Sequence, residues 1–433
     1  MYGSIRVVRF LEQDEVQDGE SDVLSRYEQF INPGLARVLR FMGLGAVENT
    51  GQGAMVITES GEEYIDCAGG YGVFIPGYQH PRIVARAQAQ LAKLSLSSRV
   101  LLNRPMVELA EELARLTPGD LQYSFFCNSG AEAVEAALKF ARIQSGRSRI
   151  ITTTGAFHGK TFGALSVSGR ATYRQPFTPL VPDVVHVPYG DFEAMAAVTD
   201  EETAAVIVEP IQGEGGIILP PDSYLPRIRE ICDKTGALWI ADEVQTGLGR
   251  TGRLFAVEYA EVVPDYLCLA KALGGGIVPI GAVVGRPSAW GFFDSQPLIH
   301  TSTFGGNPLA CAVARETLRV IVEEKLPERA ADLGLWFLPR LGDLQARYPR
   351  VLTAVRGRGL MIGLEVPHPG VGGAIMAELF QRHILAVYTL NNERVIRLIP
   401  PLVITQGQLQ EVLTALEKTL EIVDAQVEDL VAE

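Results

Sequence analysis

From Tyr123 to about Val284 the chain alternates short apolar runs with stretches in which apolar positions recur every three or four residues. The runs are Tyr123–Cys127, Arg149–Thr153, Val184–Val187, Ala204–Val208, Ala237–Asp242, Tyr266–Leu269 and Ile280–Val284. They are continuous rather than alternating, which predicts a mostly parallel sheet covered by helices on both faces. Helical periodicity is found at Ala131–Ile143 and Tyr224–Lys234, and before the first run at Pro81–Leu94 and Arg104–Leu116. Another helical pattern follows Gly305-Gly306-Asn307-Pro308 and runs towards Glu324.

The flanks have a different rhythm. Ala54–Asp66, broken at Ser60-Gly61, predicts a hairpin. The glycine-rich segment from Cys67 to His80 carries interleaved aromatics and predicts an irregular loop. Beyond residue 350, strand patterns at Val355–Val366 and Arg394–Ile399 and helical patterns at Gly373–Arg382 and Gln408–Val427 predict a smaller α/β unit. Residues 1–30 are acidic and polar with little periodicity, as expected of a mobile arm or a short docking helix.

Composition narrows the class. The chain has 433 residues, 47% of them hydrophobic and 21% charged, which at roughly 100–200 residues per domain predicts two to three soluble domains. The formal net charge of −13 disfavours nucleic acid as a partner, since phosphate neutralisation takes a Lys/Arg-rich face. Its five cysteines, Cys67, Cys127, Cys232, Cys268 and Cys311, show no CxxC spacing. Neither a zinc site nor a disulfide framework is expected, and buried reduced thiols fit instead. Met1–Phe10 lacks the apolar core of a signal peptide, and no run of about twenty apolar residues predicts a membrane span. The expected location is cytoplasmic.

Parallel sheets bind ligands at the carboxyl ends of their strands, so the strand ends are where chemistry is sought. Tyr123–Cys127 leads into Asn128-Ser-Gly-Ala-Glu132, where free amides at a helix start suit a phosphate. Ser129 and Glu132 equally form a capping box. Arg149–Thr153 leads to Gly155-Ala-Phe-His-Gly159, and Ala204–Val208 to Glu209-Pro-Ile-Gln-Gly-Glu214. Ala237–Asp242 ends in an acid that either caps a helix or holds a protonated ring nitrogen. Tyr266–Leu269 ends just before Lys271, 271 − 242 = 29 residues after Asp242, and a glycine run follows at 274–276. A lysine ending a buried strand forms a salt bridge, snorkels to solvent or works as a neutral imine. Taken in order, an imine lysine, a ring-nitrogen acid, a phosphate cradle and an aromatic partner are what pyridoxal phosphate requires.

At these residues the sequence resembles the class III pyridoxal-phosphate aminotransferases, the ornithine/acetylornithine/4-aminobutyrate family. The likeness runs from about Asn32 to Val423, and Ser124–Gly130, Gly155–Lys160, Glu209–Gly216, Asp242–Gly247, Cys268–Gly276 and Thr303–Pro308 carry it. Asn32-Pro-Gly34, Thr389-Leu-Asn-Asn392 and the N-terminal extension are similar to putrescine (diamine) aminotransferases. The resemblance implies a fold-type I α/β enzyme with a mostly parallel sheet in a large domain and a smaller α/β domain built from both termini. The corresponding ranges are an arm at 1–30, small-domain segments at 31–75 and 311–433, and a pyridoxal-phosphate domain at 76–310.

Residue by residue, the resemblance makes Lys271 the imine lysine and proton shuttle and Asp242 the partner of the ring nitrogen. Gln245 would bond the ring hydroxyl, and Phe157 and Val244 would sandwich the ring, with His158 and Glu209 beside it. Gly130, Ala131 and Ser129 would cradle the phosphate, which Thr303 would reach from a partner subunit, so a homodimer, with tetramers possible, is expected. Arg397 would clamp the acceptor's carboxylate, its planar fork suiting that group, and Glu214 would neutralise it when an amine donor binds. Tyr71 and Phe74 would shape the pocket. Lys160 stands where ornithine and acetylornithine enzymes carry an arginine, and a diamine donor has no need of that fork. The expected reaction is ping-pong transfer of a terminal amino group from a diamine to 2-oxoglutarate or pyruvate. Three alternatives remain: an ornithine, acetylornithine, 4-aminobutyrate or specialised-amine donor, an aminomutase, decarboxylase or racemase on the same scaffold, and a non-catalytic binding protein.

Overall fold

The structure, a computed structural model, describes residues 20–41 and 45–432. Its largest sheet has seven strands in the spatial order Tyr123–Cys127, Gly281–Gly285, Tyr266–Leu269, Leu238–Asp242, Thr203–Val208, Arg149–Thr153, Val184–Val187. Gly281–Gly285 is antiparallel to both its neighbours, and every other neighbouring pair is parallel. The continuous apolar runs have a direct cause. Ala205 and Ile207 pack towards helix Gly130–Ser145 with Ala133, Val134 and Ala137. Val206 and Val208, pointing the other way, join Trp239 and helix Tyr224–Thr235 through Tyr224 and Ile228. Both faces of the pleat are dry, so both residue parities must be apolar.

The expected hairpin forms from Met55–Thr58 and Glu63–Asp66, turning at Gly61 with φ +86°, which suits glycine. Glu48–Gln52 extends it on one side. On the other, Ile384–Leu385 pairs in parallel with Ile65 and Asp66, so distant parts of the chain share one sheet.

One expectation is corrected. Val355–Val366 is not a single strand but an antiparallel hairpin, Ala354–Arg358 and Met361–Glu365. Apolar residues continue across Gly359-Leu360 and conceal the turn. Gly359 has φ +58°, and a Cβ there would lie 2.5 Å from the Thr251 carbonyl carbon, so the turn is docked tightly against another loop. Asn392–Leu398 and Val387–Thr389 complete this second small sheet. The expected helices appear as Pro369–Phe380 and Gln406–Asp424. Leu326–Arg347, a helix of 22 residues with Pro339 inside it, escaped the pattern. Of the expected arm, Glu20–Phe30 is helical and residues 1–19 lie outside the described residues.

All five cysteines are free and buried. Among the described residues no helix is long and apolar enough to cross a membrane, and no cluster of His, Cys, Asp and Glu could hold a metal.

Candidate active site

A cavity of about 530 Å³ opens at the carboxyl edge of the seven-stranded sheet. Each parallel strand on its floor delivers one or two residues. Tyr123–Cys127 leads to Gly130 and Ala131, which open the next helix and line the cavity. Ser129 caps that helix, accepting from Glu132 N at 3.2 Å, while Glu132 Oε2 reaches back to accept from Asn128 N at 2.8 Å and not from Ser129 N. Gly130 has to be glycine, since a Cβ would come within 2.9 Å of Val244 Cγ1.

Leu238–Asp242 places Asp242 in the cavity wall. Its Oδ2 faces His158 Nδ1 at 2.7 Å and its Oδ1 accepts from Val244 N at 3.0 Å. Thr203–Val208 delivers Glu209, whose two oxygens accept from Phe157 N and Gly213 N, each at 3.0 Å. Tyr266–Leu269 delivers Lys271, which lines the same cavity and does not snorkel to solvent. Lys271 has φ +44°, a left-handed conformation that costs a non-glycine residue on the order of 1–2 kcal/mol and that proteins retain at functional sites. Gly276 behind it allows Phe74 to close in, for a Cβ there would lie 2.6 Å from that ring. Gln245 donates from Nε2 to the Tyr71 carbonyl at 3.1 Å, while its buried Oε1 has no partner within the protein.

Behind Glu214, which lines the cavity, stands a residue of the second small sheet. Arg397, on Asn392–Leu398, is fully buried and donates from Nη1 to Glu214 Oε1. Its Nε and Nη2 are buried without protein partners, leaving fork donors for an anion. Tyr71, half exposed, places its ring 5.2 Å from the Arg397 guanidinium carbon.

Five of the expected residues are not on the cavity lining: Arg397, bonded to Glu214, and Tyr71 beside it lie just outside, and Phe74, Lys160 and Thr303 lie elsewhere. Phe74 stacks on Tyr78 with centroids 3.8 Å apart, and its neighbour Val73 lines the cavity instead. Lys160 is exposed, with its ammonium 4.6 Å from the centre of the Tyr173 ring. Thr303 is exposed and outside its own chain's cavity.

Strand-end logic missed Ile277, Val278, Pro279 and Ile280, which line the cavity. They precede the reversed strand Gly281–Gly285, so its amino end reaches the edge where the others leave their carboxyl ends. The only available signal was the glycine run ahead of an apolar strand. Leu390 and Asn391, which hold Glu214, were visible only as part of a motif.

The electrostatics sort these groups into roles. Burial lowers the Lys271 pKa and Arg397 adds to this, while Glu214, Asp242 and Glu209 oppose without cancelling it. The result favours the neutral, nucleophilic amine. Burial works against charge on His158, but the hydrogen bond and field of Asp242, helped by Glu209, outweigh it and raise its pKa. His158 and Asp242 thus face each other as a buried hydrogen-bonded pair. Burial likewise works against Glu214, yet Arg397, Lys271 and the Leu390 N–H hold it below the usual carboxylate range. Glu209 is pushed up to about 7, mainly by burial and partly by Asp242, against the pull of His158 and its two N–H donors.

Comparison with known proteins places this chain in a family. The aminotransferase class-III family model matches residues 43–420. The ornithine aminotransferase of Toxoplasma gondii ME49 is similar at 36% identity over 94% of this chain and 96% of that one, with a TM-score of 0.88. An acetylornithine aminotransferase from Elizabethkingia anophelis shares 34% identity over 93% and 99%, with a TM-score of 0.80. A PLP-bound amine transaminase from an uncultivated Pseudomonas species shares 30% over 87% and 95%, with a TM-score of 0.82.

Proposed function

We propose a donor and an acceptor from one premise: the chain belongs to the class-III aminotransferase family, and it is a pyridoxal-phosphate-dependent transaminase of mixed α/β, fold-type I architecture. The donor is a diamine of the putrescine kind or another terminal amine, and the acceptor is 2-oxoglutarate or pyruvate. One arrangement supports this choice. Among the described residues lining the cavity Lys271 is the single lysine or arginine, Glu214 covers Arg397, and Lys160 points away onto Tyr173. The far end of a donor therefore meets no cation on the cavity lining besides Lys271, which suits an amine without a carboxylate.

The residues of the cavity fit the cofactor. The buried Gln245 Oε1 and His158 Nε2 have no protein partners, Asp242 sits paired beside them, and the helix start at Gly130-Ala131 is kept open by a missing side chain. When bound, pyridoxal phosphate supplies an electron sink for the carbon that carries the amino group. Lys271 Nζ takes the proton from that carbon and returns one during the reverse half-reaction, for which a lowered pKa suits it. Asp242, backed by His158, holds a proton on the ring nitrogen. Phe157 and Val244 confine the ring, and Ser129, Gly130 and Ala131 hold the phosphate. Arg397 clamps the acceptor's carboxylate once Glu214 swings off it, so one pocket serves a charged acid and a terminal amine in turn.

A homodimer completes this site, with Thr303 reaching the partner's phosphate. In support, Thr303 lies beside exposed Phe304, and the loop with exposed Val100, Leu101 and Leu102 is tied to this region by Arg99 and Asn103 bonding to Gly305 and Gly306. The division into 1–30, 31–75, 76–310 and 311–433 draws support from the pairing of Ile384–Leu385 with Glu63–Asp66.

A second reading makes the donor ornithine, acetylornithine or 4-aminobutyrate. It is favoured by the likeness to ornithine and acetylornithine enzymes, with exposed Lys160 as its candidate for the extra carboxylate. The test is a donor panel of putrescine, cadaverine, ornithine, acetylornithine and 4-aminobutyrate with 2-oxoglutarate and pyruvate, following the cofactor absorbance. Putrescine should bleach the band at the lowest concentration, and bleaching by ornithine or acetylornithine alone would decide for the second reading.

A further inference from the structure

Glu214 is held by a two-residue turn, Leu390-Asn391, between Val387–Thr389 and Asn392–Leu398. Leu390 N–H donates to Glu214 Oε2 at 2.8 Å, and Asn391 N–H donates to the Glu214 carbonyl at 2.9 Å. Asn391 Nδ2 donates to the Gly155 and Ala156 carbonyls at 2.9 and 3.1 Å, anchoring the turn to the loop that carries Phe157 and His158. On the outer side the Leu390 carbonyl accepts from Arg170 Nη1, and from Tyr173 Oη at 3.2 Å. Arg170 Nη2 also bridges to Glu393 Oε1 at 2.8 Å, and its guanidinium carbon lies 4.7 Å from the centre of the Tyr173 ring.

Arg170 does not line the cavity. Its bridge to Glu393, with side chains 26% and 48% exposed, adds little stability of its own. What the contacts do is fix Leu390 from the outside, and Leu390 fixes the Glu214 oxygen that Arg397 does not use. A carboxylate that gives up Arg397 keeps this N–H as its second anchor, so the placement of Leu390 sets how readily Glu214 returns.

We propose that Arg170 is a positioning residue for substrate choice: by holding Leu390 it keeps Glu214 over Arg397 and favours amine donors that bring no carboxylate. This rests on the assignment of Glu214 and Arg397 as the donor–acceptor switch.

The experiment separates the two half-reactions by following the cofactor band, with putrescine for one and glutamate for the other, in wild-type, Arg170→Ala, Arg170→Lys and Glu214→Ala holoenzymes. In Arg170→Ala the KM for the amine should rise about tenfold, the scale of one hydrogen bond to a charged group. The limiting rate should stay within about twofold and the glutamate KM should hold or fall, since a role confined to stability moves both half-reactions together. Arg170→Lys, which retains a cation for the Leu390 carbonyl and Glu393, should recover part of the amine KM. Tyr173→Phe removes one hydroxyl from the same carbonyl and should give the same change at about threefold, which keeps the test alive should Arg170→Ala fold poorly. If Glu214→Ala shifts the balance between amine and glutamate while Arg170→Ala and Tyr173→Phe do not, or if both half-reactions weaken together, the positioning role is overturned. If Glu214→Ala itself leaves that balance unchanged, the switch assignment fails and takes the inference with it.

Discussion

The two walls of the cavity are built by different means. On the sheet side, Gly130, Glu209, Asp242 and Lys271 each follow directly from the end of a buried strand, so register within one sheet places them all. On the other side, Glu214 and Arg397 meet across 397 − 214 = 183 residues, through a loop of the large sheet, a strand of a different sheet and the turn at Leu390. The first wall is rigid because moving one group means moving the sheet. The second rests on a few hydrogen bonds and one ion pair. Chemistry common to every substrate belongs on the first kind of wall, and discrimination between substrates on the second, where small shifts suffice.

The sharpest way to break this contrast is at Lys271. Lys271→Ala should reduce turnover by on the order of 10⁴-fold or more, because it removes the group proposed to transfer the proton. The melting temperature of the apoprotein should be unchanged or slightly higher, since alanine removes an amine whose burial disfavours its charge. Absorbance with amine donor and with glutamate would both be lost. Residual activity above about 1% would show that the sheet wall does not carry the chemistry.

Arg397→Ala tests the other wall and should act unequally. The variant leaves Glu214 buried without its guanidinium, which typically costs about 3–5 kcal/mol in stability. Its kcat/KM for 2-oxoglutarate should fall on the order of 10²- to 10³-fold, while the limiting rate with putrescine declines far less. Stopped-flow traces of each half-reaction measure this. Equal losses on both sides would mean that the two walls are not separable.

That difference also explains what was legible in the sequence. The strands, their order of appearance and the residues at their ends could be read because each is encoded locally, as an apolar run followed by a polar or glycine-rich turn. Reversal of Gly281–Gly285 could not be read, since an antiparallel strand buried on both faces has the same composition as a parallel one, and Ile277–Ile280 were therefore overlooked. The hairpin at Gly359 was concealed for a related reason, an apolar run that does not stop at the turn. Lys160 could be read as an unusual residue but not as one placed over Tyr173, because that outcome depends on a contact between a loop and the short helix Ala171–Arg174. Pairs such as Glu214 and Arg397 were recognised only through family resemblance, for no local pattern joins them.

The sheet wall has a pH signature of its own. Glu243, next to Asp242, is buried and accepts from Ala256 N, Val257 N and the Thr246 hydroxyl. Burial pushes its pKa up to about 7, against those donors. A carboxyl raised in the folded state contributes stability that is fully present below its unfolded pKa and is lost as pH rises through about 7. The contribution at stake is on the order of 2–3 kcal/mol. Urea unfolding at pH 5, 6, 7 and 8 should show wild-type stability declining across that window. Glu243→Gln should be less stable at pH 5 but decline less steeply. Glu209, also pushed up to about 7, supplies the slope that remains. An identical slope in the variant would show that Glu243 stays ionised, held by its three donors.

The smallest expected effect is also the one that separates the two donor readings. Lys160 is exposed over the Tyr173 ring, and such a cation–π contact is worth about 0.5–1 kcal/mol at the surface. If the donor is a diamine, Lys160→Ala changes its KM by no more than about two- to fivefold, the equivalent of that contact. If instead the lysine swings in to hold a donor carboxylate, the KM for ornithine rises more than about tenfold while that for putrescine is unmoved, as expected when one charged hydrogen bond is deleted. Lys160→Arg sharpens the outcome. A planar fork at this position should lower the ornithine KM in the second case, and in the first it should leave both donors where they were, since the side chain remains on Tyr173.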